Sequence, residues 1–158
     1  MLQRIQTVYL TASVIACALL FSFPMAKFVN DVQGTYVLTV MGVKYLNMTD
    51  PPIFVNFWST FPMMILVIAS VIMTASAIFL YNKRRTQLIL VNISFLLNVI
   101  LIALVYLYYV GYIEKLSKVV PSYQFGIFLP IISLVLLVLA NRSIRKDEAL
   151  VKSADRLR

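Results

Sequence analysis

The residues of this chain that could do chemistry are few, and they are amides and hydroxyls in apolar surroundings. Asn92 and Asn98 lie in one long apolar run, and Ser94 stands four residues before Asn98. That spacing places Ser94 and Asn98 on one face of a helix. Such groups either hydrogen-bond between packed membrane helices or line a water-filled path. We interpret Asn92, Ser94 and Asn98 mainly as an intramembrane polar packing contact.

Motifs for enzymatic chemistry are absent from the sequence. There is no G-x-S-x-G, no H-E-x-x-H and no glycine-rich phosphate loop. The chain has no His and a single cysteine, Cys17, which excludes an intrachain disulfide and a Cys/His metal site. No ionisable residue lies centrally in an apolar run, which argues against a proton-coupled pump. We therefore expect no catalytic residue, no metal and no cofactor, and a protein that is not an enzyme.

The composition is that of a membrane protein. Hydrophobic residues make up 61% of the 158 residues and charged residues 13%, against about 45–50% and about 25% in soluble domains. The net charge is +8, but Lys and Arg occur in short clusters beside apolar runs. This placement is typical of membrane topology rather than of a nucleic-acid groove, so no nucleic-acid partner is expected.

Four apolar runs reach the length of about 20 residues that a spanning helix needs. The first continues beyond Cys17, which is longer than the apolar core of a cleaved signal peptide. Pro130 lies inside the fourth run and predicts a kink there. The predicted fold is an all-α, four-helix transmembrane bundle in one domain, 1–158. Its spans are 5–25, 59–81, 88–112 and 123–140, its outer loop is 27–57, and its tail is 141–158.

The distribution of basic residues predicts the orientation. Ten of the 14 Lys and Arg residues fall on the side that carries both termini, and the positive-inside rule makes that side cytoplasmic. These ten either contact anionic lipid head groups or a protein partner, or simply fix the topology. They are Arg4, Lys83, Arg84, Arg85, Arg142, Arg145, Lys146, Lys152, Arg156 and Arg158.

The outer loop contains a predicted β-hairpin. Residues 34–40 are rich in β-branched and aromatic types, Met41-Gly42 can turn, and residues 43–46 can return. A lone hairpin is marginal in water. We therefore expect this small extracytoplasmic hairpin, between helices one and two, to lie on the helix ends or to pair with another chain.

The tail favours a helix, because it lacks Gly and Pro. Leu150, Ala154 and Leu157 form a narrow apolar stripe at helical spacing. One interpretation is a solvated extension of helix four. The other is a surface helix that lies on lipid or docks a cytosolic partner.

Both ends of the chain resemble one family. The opening MLQRIQTVYL (1–10) and the closing IRKDEALVKSADRLR (144–158) are similar to those of small four-helix membrane proteins from Bacteroidetes-type bacteria, described as a domain of unknown function. The resemblance implies a bacterial inner-membrane location and no assigned activity.

The resemblance also suggests that the two ends form one cytoplasmic surface. In this hypothesis Arg4, with Gln3 and Gln6 beside it, pairs with one of the acids of the tail, which are Asp147, Glu148 and Asp155. The alternative is two separate interfacial anchors.

Two functions remain open at this stage, with an enzyme third. The first is a non-catalytic scaffold or accessory subunit of a membrane complex, which docks through its basic tail or outer loop and contacts a protein partner or a second copy. The second is a small oligomeric channel, transporter or lipid-handling protein, which a water-filled path along Asn92, Ser94 and Asn98 would favour. An enzyme would need convergent polar groups at the outer face, around Asp31, Asp50 and Glu114.

Overall fold

The computed structural model of this chain describes residues 3–30, 34–46, 57–81, 83–117 and 120–156. Within these ranges, long helices pack side by side and carry a small antiparallel sheet at one end. The helices are α1 (Gln3–Leu19), α2 (Phe57–Phe79), α3 (Arg84–Ala103), α4 (Gly111–Ser117) and α5 (Leu129–Arg156). The strands are β1 (Ala26–Asn30), β2 (Gly34–Thr39), β3 (Gly42–Leu46) and β4 (Ser122–Tyr123). A π-helical segment, Leu104–Val110, joins α3 to α4 without a break.

Three helical stretches in the described part of the chain are long and apolar enough to cross a membrane. They are Thr60–Phe79, Arg84–Lys115 and Phe125–Leu150. The apolar part of α1, Ile5–Leu19, is shorter. Large apolar side chains such as Phe79 and Leu107 point outward, about 80% exposed. A surface of this kind suits lipid rather than water.

Two predicted helix boundaries need correction. The first helix ends at Leu19 and not at residue 25. Pro24 explains part of this, because it disfavours helical geometry in the residue before it and has no N–H to donate. The fourth helix begins at Leu129 and not at residue 123, because Ser122–Tyr123 forms β4 and Phe125–Phe128 forms a 3-10 turn.

The predicted kink at Pro130 is wrong for the same reason. Pro130 is the second residue of α5, and a proline in the first turn has no helical hydrogen bond to break. Downstream, α5 runs unbroken to Arg156 and so includes most of the predicted tail. The tail is therefore an extension of helix four as far as Arg156, which is the first of the two interpretations.

The sheet has four antiparallel strands in the order β3-β2-β1-β4. The predicted hairpin is confirmed as β2 and β3, paired from Thr35↔Leu46 to Thr39↔Gly42. Gly42 has a φ of 153°, which favours glycine after this tight turn. The sequence did not predict β1 or β4. The strand β1 pairs with β2 along its whole length and with β4 at Ala26↔Tyr123 and Lys27↔Ser122.

The buried apolar residues form two clusters, one toward each end of the bundle. The cluster at the sheet end joins the sheet to the helices, with Phe28 and Leu38 beside Met63, Leu101 and Ile127. The hairpin therefore lies on the helix ends, as predicted. The second cluster contains Leu10, Ala77, Val91, Leu137, Ala140 and Ile144. Between these clusters, the bundle contains polar groups.

Candidate functional site: a central polar cluster and a basic end

Five buried polar or thiol side chains meet between α1, α2, α3 and α5, and we call them the central polar cluster. They are Ser13, Cys17, Ser70, Asn98 and Ser133. The Asn98 amide nitrogen donates to the Ser70 hydroxyl over 2.7 Å. The hydroxyls of Ser13 and Ser133 are 2.8 Å apart, and the Cys17 sulfur lies 3.1 Å from the Ser133 hydroxyl. Each of the four long helices thus contributes to one hydrogen-bonded layer.

The chemistry of this cluster is neutral and self-contained. Asn98 also donates to the carbonyl of Ser94, one turn earlier in α3, over 2.9 Å. Ser94 is fully buried as well, and its hydroxyl makes no hydrogen bond in the described part of the chain. Uncharged groups that bond to one another in this way hold packed helices together. Ser94 and Asn98 therefore lie where the packing interpretation expects them.

Asn92 does not belong to this cluster. It precedes Asn98 by six residues, so the two lie on different sides of α3, since successive residues are about 100° apart around a helix. Asn92 is exposed, and its side-chain oxygen accepts a hydrogen bond from the amide of Asn141 on α5. The side-chain oxygen of Asn141 in turn accepts one from Arg145 Nε over 2.8 Å. The three amide and hydroxyl residues singled out in the sequence thus form two separate contacts.

The end of the bundle opposite the sheet, where α1 begins and α2 meets α3, is the basic end. Here the Gln6 amide donates to the carboxylate of Asp147 on α5, and both residues are 6% exposed. Arg84, at the start of α3, donates to the backbone carbonyl of Asp147 over 3.1 Å. Three helices are therefore joined at Asp147. The prediction that the start of the chain and its tail share a surface is confirmed for Gln6.

Most of the predicted basic residues with described side chains are exposed at this end. Arg84 is half-buried by its contact with Asp147. The exposed residues are Lys83, Arg85, Arg142, Arg145 and Lys146. The side chains of Arg4, Lys152, Asp155 and Arg156, and the whole of Arg158, lie outside what the structure describes. The proposed partner of Arg4 therefore stays a prediction.

The acids considered for an outer-face enzyme do not form a described site. Asp31 and Asp50 lie outside the described residues, and Glu114 is exposed on α4. In the part of the chain that is described, no group of three or more His, Cys, Asp or Glu residues could hold a metal ion.

Sequence reasoning identified several residues of these contacts but did not identify their hydrogen-bond partners. Cys17 is 1% exposed, and its contact with Ser133 has no local signal, since the two stand 116 residues apart. The link between Asn141 and Arg145 was visible in principle, because residues four apart in a helix are neighbours.

Comparison with known proteins extends the resemblance of the two chain ends to the whole sequence. A family model with the description "Domain of unknown function (DUF4293)" matches residues 2–157. No curated protein matches the chain.

Proposed function

The chain belongs to the DUF4293 family, a domain of unknown function, and on that premise we propose that it is a non-catalytic membrane scaffold or accessory subunit. In this proposal it docks a protein partner through the end of α5 on the cytoplasmic side of a bacterial inner membrane. The partner is recognised by a basic helix, so its docking surface is acidic.

The proposed membrane arrangement uses all four long helices. A helix of 17 residues, such as α1, is about 25 Å long, and a bilayer core is about 30 Å thick. Turns after Leu19, closed by hydrogen bonds such as that from the Phe23 N–H to the Leu19 carbonyl over 3.1 Å, add to the length of α1. Gln6, Arg84 and Asp147 meet at one end, so both chain ends share a side with the exposed basic residues. The positive-inside rule makes that side cytoplasmic.

The observation that carries the proposal is the length and fixation of α5. Its 28 residues make a helix of about 42 Å, longer than the bilayer core of about 30 Å. Asp147 is held by Gln6 and Arg84, so the residues after Leu150 extend from a fixed point. This projecting helix carries Lys152 and Arg156, and a rigid helix binds a partner groove at a low cost in entropy.

The closed centre of the bundle favours this function over a channel in a single chain. Asn98 and Ser94 are fully buried, and the amide of Asn98 is already bonded to Ser70 and to the Ser94 carbonyl. The exposed Asn92 faces a different helix surface. The polar residues therefore do not line one continuous path.

The test compares what the tagged full chain captures in mild detergent with what two variants capture. The first variant ends after Leu150, which leaves the buried Ile144 and Asp147 in place and removes a net charge of +2, from Lys152, Asp155, Arg156 and Arg158. The second is Lys83→Gln/Arg85→Gln, which removes the same net charge at exposed positions just before α3 and in its first turn. All three proteins are first checked for equal insertion.

We expect one co-purifying protein that is kept by the Lys83→Gln/Arg85→Gln variant and lost by the truncated chain. Equal loss from both variants would mean that general positive charge attracts the partner, and docking through α5 would be wrong. Capture by the truncated chain at the full level would also overturn the proposal.

A further inference from the structure

A groove of about 260 Å³ opens between α3 and α5 near the basic end. One part of its wall is apolar and the other is polar and cationic. None of the lining residues is acidic. They are Asn92, Phe95, Leu137, Val138, Asn141, Arg142 and Arg145.

The cationic part of the groove is organised for an anion. Arg145 is oriented by its Nε hydrogen bond to Asn141, and Asn141 by its bond to Asn92. Among the described residues, one nitrogen of the Arg145 guanidinium, Nε, has a hydrogen-bond partner within the chain. Arg142 lies on the same wall and is exposed. Residues three apart lie on one face of a helix, and two guanidinium groups on one wall of a groove match a phosphate, because arginine binds its oxygens in a bidentate manner.

The apolar part of the groove lies deeper along the bundle. Phe95 stands 11 residues after the start of α3 at Arg84, about 16 Å along the helix. Leu137 and Val138 lie one turn before Asn141 and Arg142 on α5, in the direction of the bundle centre. The groove is therefore cationic where it opens at the basic end and apolar at its floor, toward the bundle centre. A phospholipid has the same order, with a charged head group followed by an apolar acyl chain.

We propose that this groove binds an anionic phospholipid. The phosphate of the head group lies between Arg142 and Arg145, and the first part of one acyl chain lies against the half-buried Phe95 and Val138. The volume is below the roughly 300–1,000 Å³ of sites that enclose a whole drug-sized ligand, so the rest of the lipid stays in the bilayer. Basic pockets between membrane helices bind anionic head groups in this way. The site is independent of the partner proposed above and of the end of α5.

The test measures the melting temperature of the purified full chain in detergent during titration with three probes. The probes are dioctanoyl phosphatidylglycerol, dioctanoyl phosphatidylcholine and inorganic phosphate. We expect a saturable rise with phosphatidylglycerol, a much smaller one with phosphatidylcholine and none with inorganic phosphate. Equal effects of phosphatidylglycerol and inorganic phosphate would show a free-anion site and overturn the proposal.

Two pairs of variants locate the site. Arg142→Gln/Arg145→Gln should weaken the apparent affinity for phosphatidylglycerol about tenfold or more, whereas Lys83→Gln/Arg85→Gln, with the same charge change, should leave it nearly unaltered. Equal weakening by both would show attraction to overall charge and no site.

The second pair probes the apolar floor without changing charge. Val138→Trp fills the groove, while Val135→Trp places the same ring at an exposed position outside its lining. We expect Val138→Trp alone to abolish the lipid-dependent rise, with the melting temperature of the lipid-free protein unchanged. A Val138→Trp protein that responds to phosphatidylglycerol like the parent chain would overturn the proposal.

Discussion

The hydrogen bonds that join the elements are made by backbone groups at the sheet end of the bundle, whereas at the basic end the donors are side chains. The N–H of Gln124 donates to the carbonyl of Met25 over 2.9 Å, and the N–H of Gly126 donates to that of Pro24 over 3.0 Å. At the basic end the links are the Gln6 and Arg84 side chains on Asp147.

On the two proposals above, the sheet end fixes the bundle and the basic end supplies recognition. Hydrogen bonds between backbone groups depend little on side-chain type, but they are lost when the backbone moves. The sheet end is therefore sensitive to a substitution that adds side-chain volume and displaces the backbone. The basic end is held by three named side chains and leaves its other cations exposed, where they can bind lipid or protein. Substitutions at the two ends should therefore differ in size and in kind.

The largest effect is expected from Gly126→Ala at the sheet end. A Cβ at Gly126 would lie 2.4 Å from the Pro24 carbonyl oxygen, so backbone would have to move. We expect the free energy of unfolding, measured by SDS titration in mixed micelles, to fall by about 3 kcal/mol. The control is Gly111→Ala, where nothing lies within 4 Å of the new Cβ and helix propensity favours alanine by about 0.5–1 kcal/mol. Equal effects of the two substitutions would contradict the close approach at Gly126.

The next largest effect is expected from Gln6→Glu at the basic end. It replaces the amide donor by a second carboxylate against Asp147, and losing a buried hydrogen bond to a charged group costs about 2 kcal/mol. Adding Asp147→Asn should restore most of the loss, because the asparagine amide can then donate to the new carboxylate. If the double variant is no more stable than Gln6→Glu in the same titration, the Gln6–Asp147 contact does not hold this end.

A smaller effect is expected in the central polar cluster. Asn98→Ala removes the donor to Ser70, and interhelical hydrogen bonds in membranes contribute about 0.6 kcal/mol on average. With the space left behind, we expect a loss of about 1 kcal/mol of unfolding free energy. Asn92→Ala, the same change at an exposed position, should cost clearly less. The reverse order would show that the packing interpretation of Asn98 is wrong.

The smallest effect on stability is expected from Arg142→Gln/Arg145→Gln. Both guanidinium groups are exposed, and exposed charges contribute little to folding. The unfolding curve without lipid should overlay that of the parent chain. A clear loss of stability would show that Arg142 and Arg145 help to hold the basic end together, and the contrast between the two ends would then be wrong.

The sequence predicted those parts of the fold whose signals are local. The hairpin β2–β3 follows from alternating β-branched residues around Met41-Gly42, and the apolar runs gave the long helices. The strand β1 was hidden because it begins where the first apolar run ends and contains Lys27 and Asn30, and β4 because two residues carry no pattern of their own. The strand β1 exists through its pairing with β2, and β4 through its pairing with β1 at Ala26↔Tyr123 and Lys27↔Ser122, a contact between distant parts of the chain.

The candidate sites show the same limit. Asn98 and Ser94 were found because polar residues stand out in an apolar run. The partner of Asn98, Ser70, could not be identified, because the sequence does not say which faces of α2 and α3 meet. Arg142 and Arg145 were selected by charge alone, and only the packing of α5 on α3 places them beside Phe95 in one groove.

The contact between α1 and α5 also dictates an order of events during biosynthesis. Gln6 and Asp147 are 141 residues apart, and ribosomes add about 5–20 residues per second, so about 7–30 s separate the synthesis of the two. During this interval Ser13 and Cys17 are already made, while Ser133, which will bond to both, is not. The bundle therefore closes only when its last helix has been made, and a ribosome that stalls before α5 leaves α1 without the neighbour that completes its hydrogen bonds.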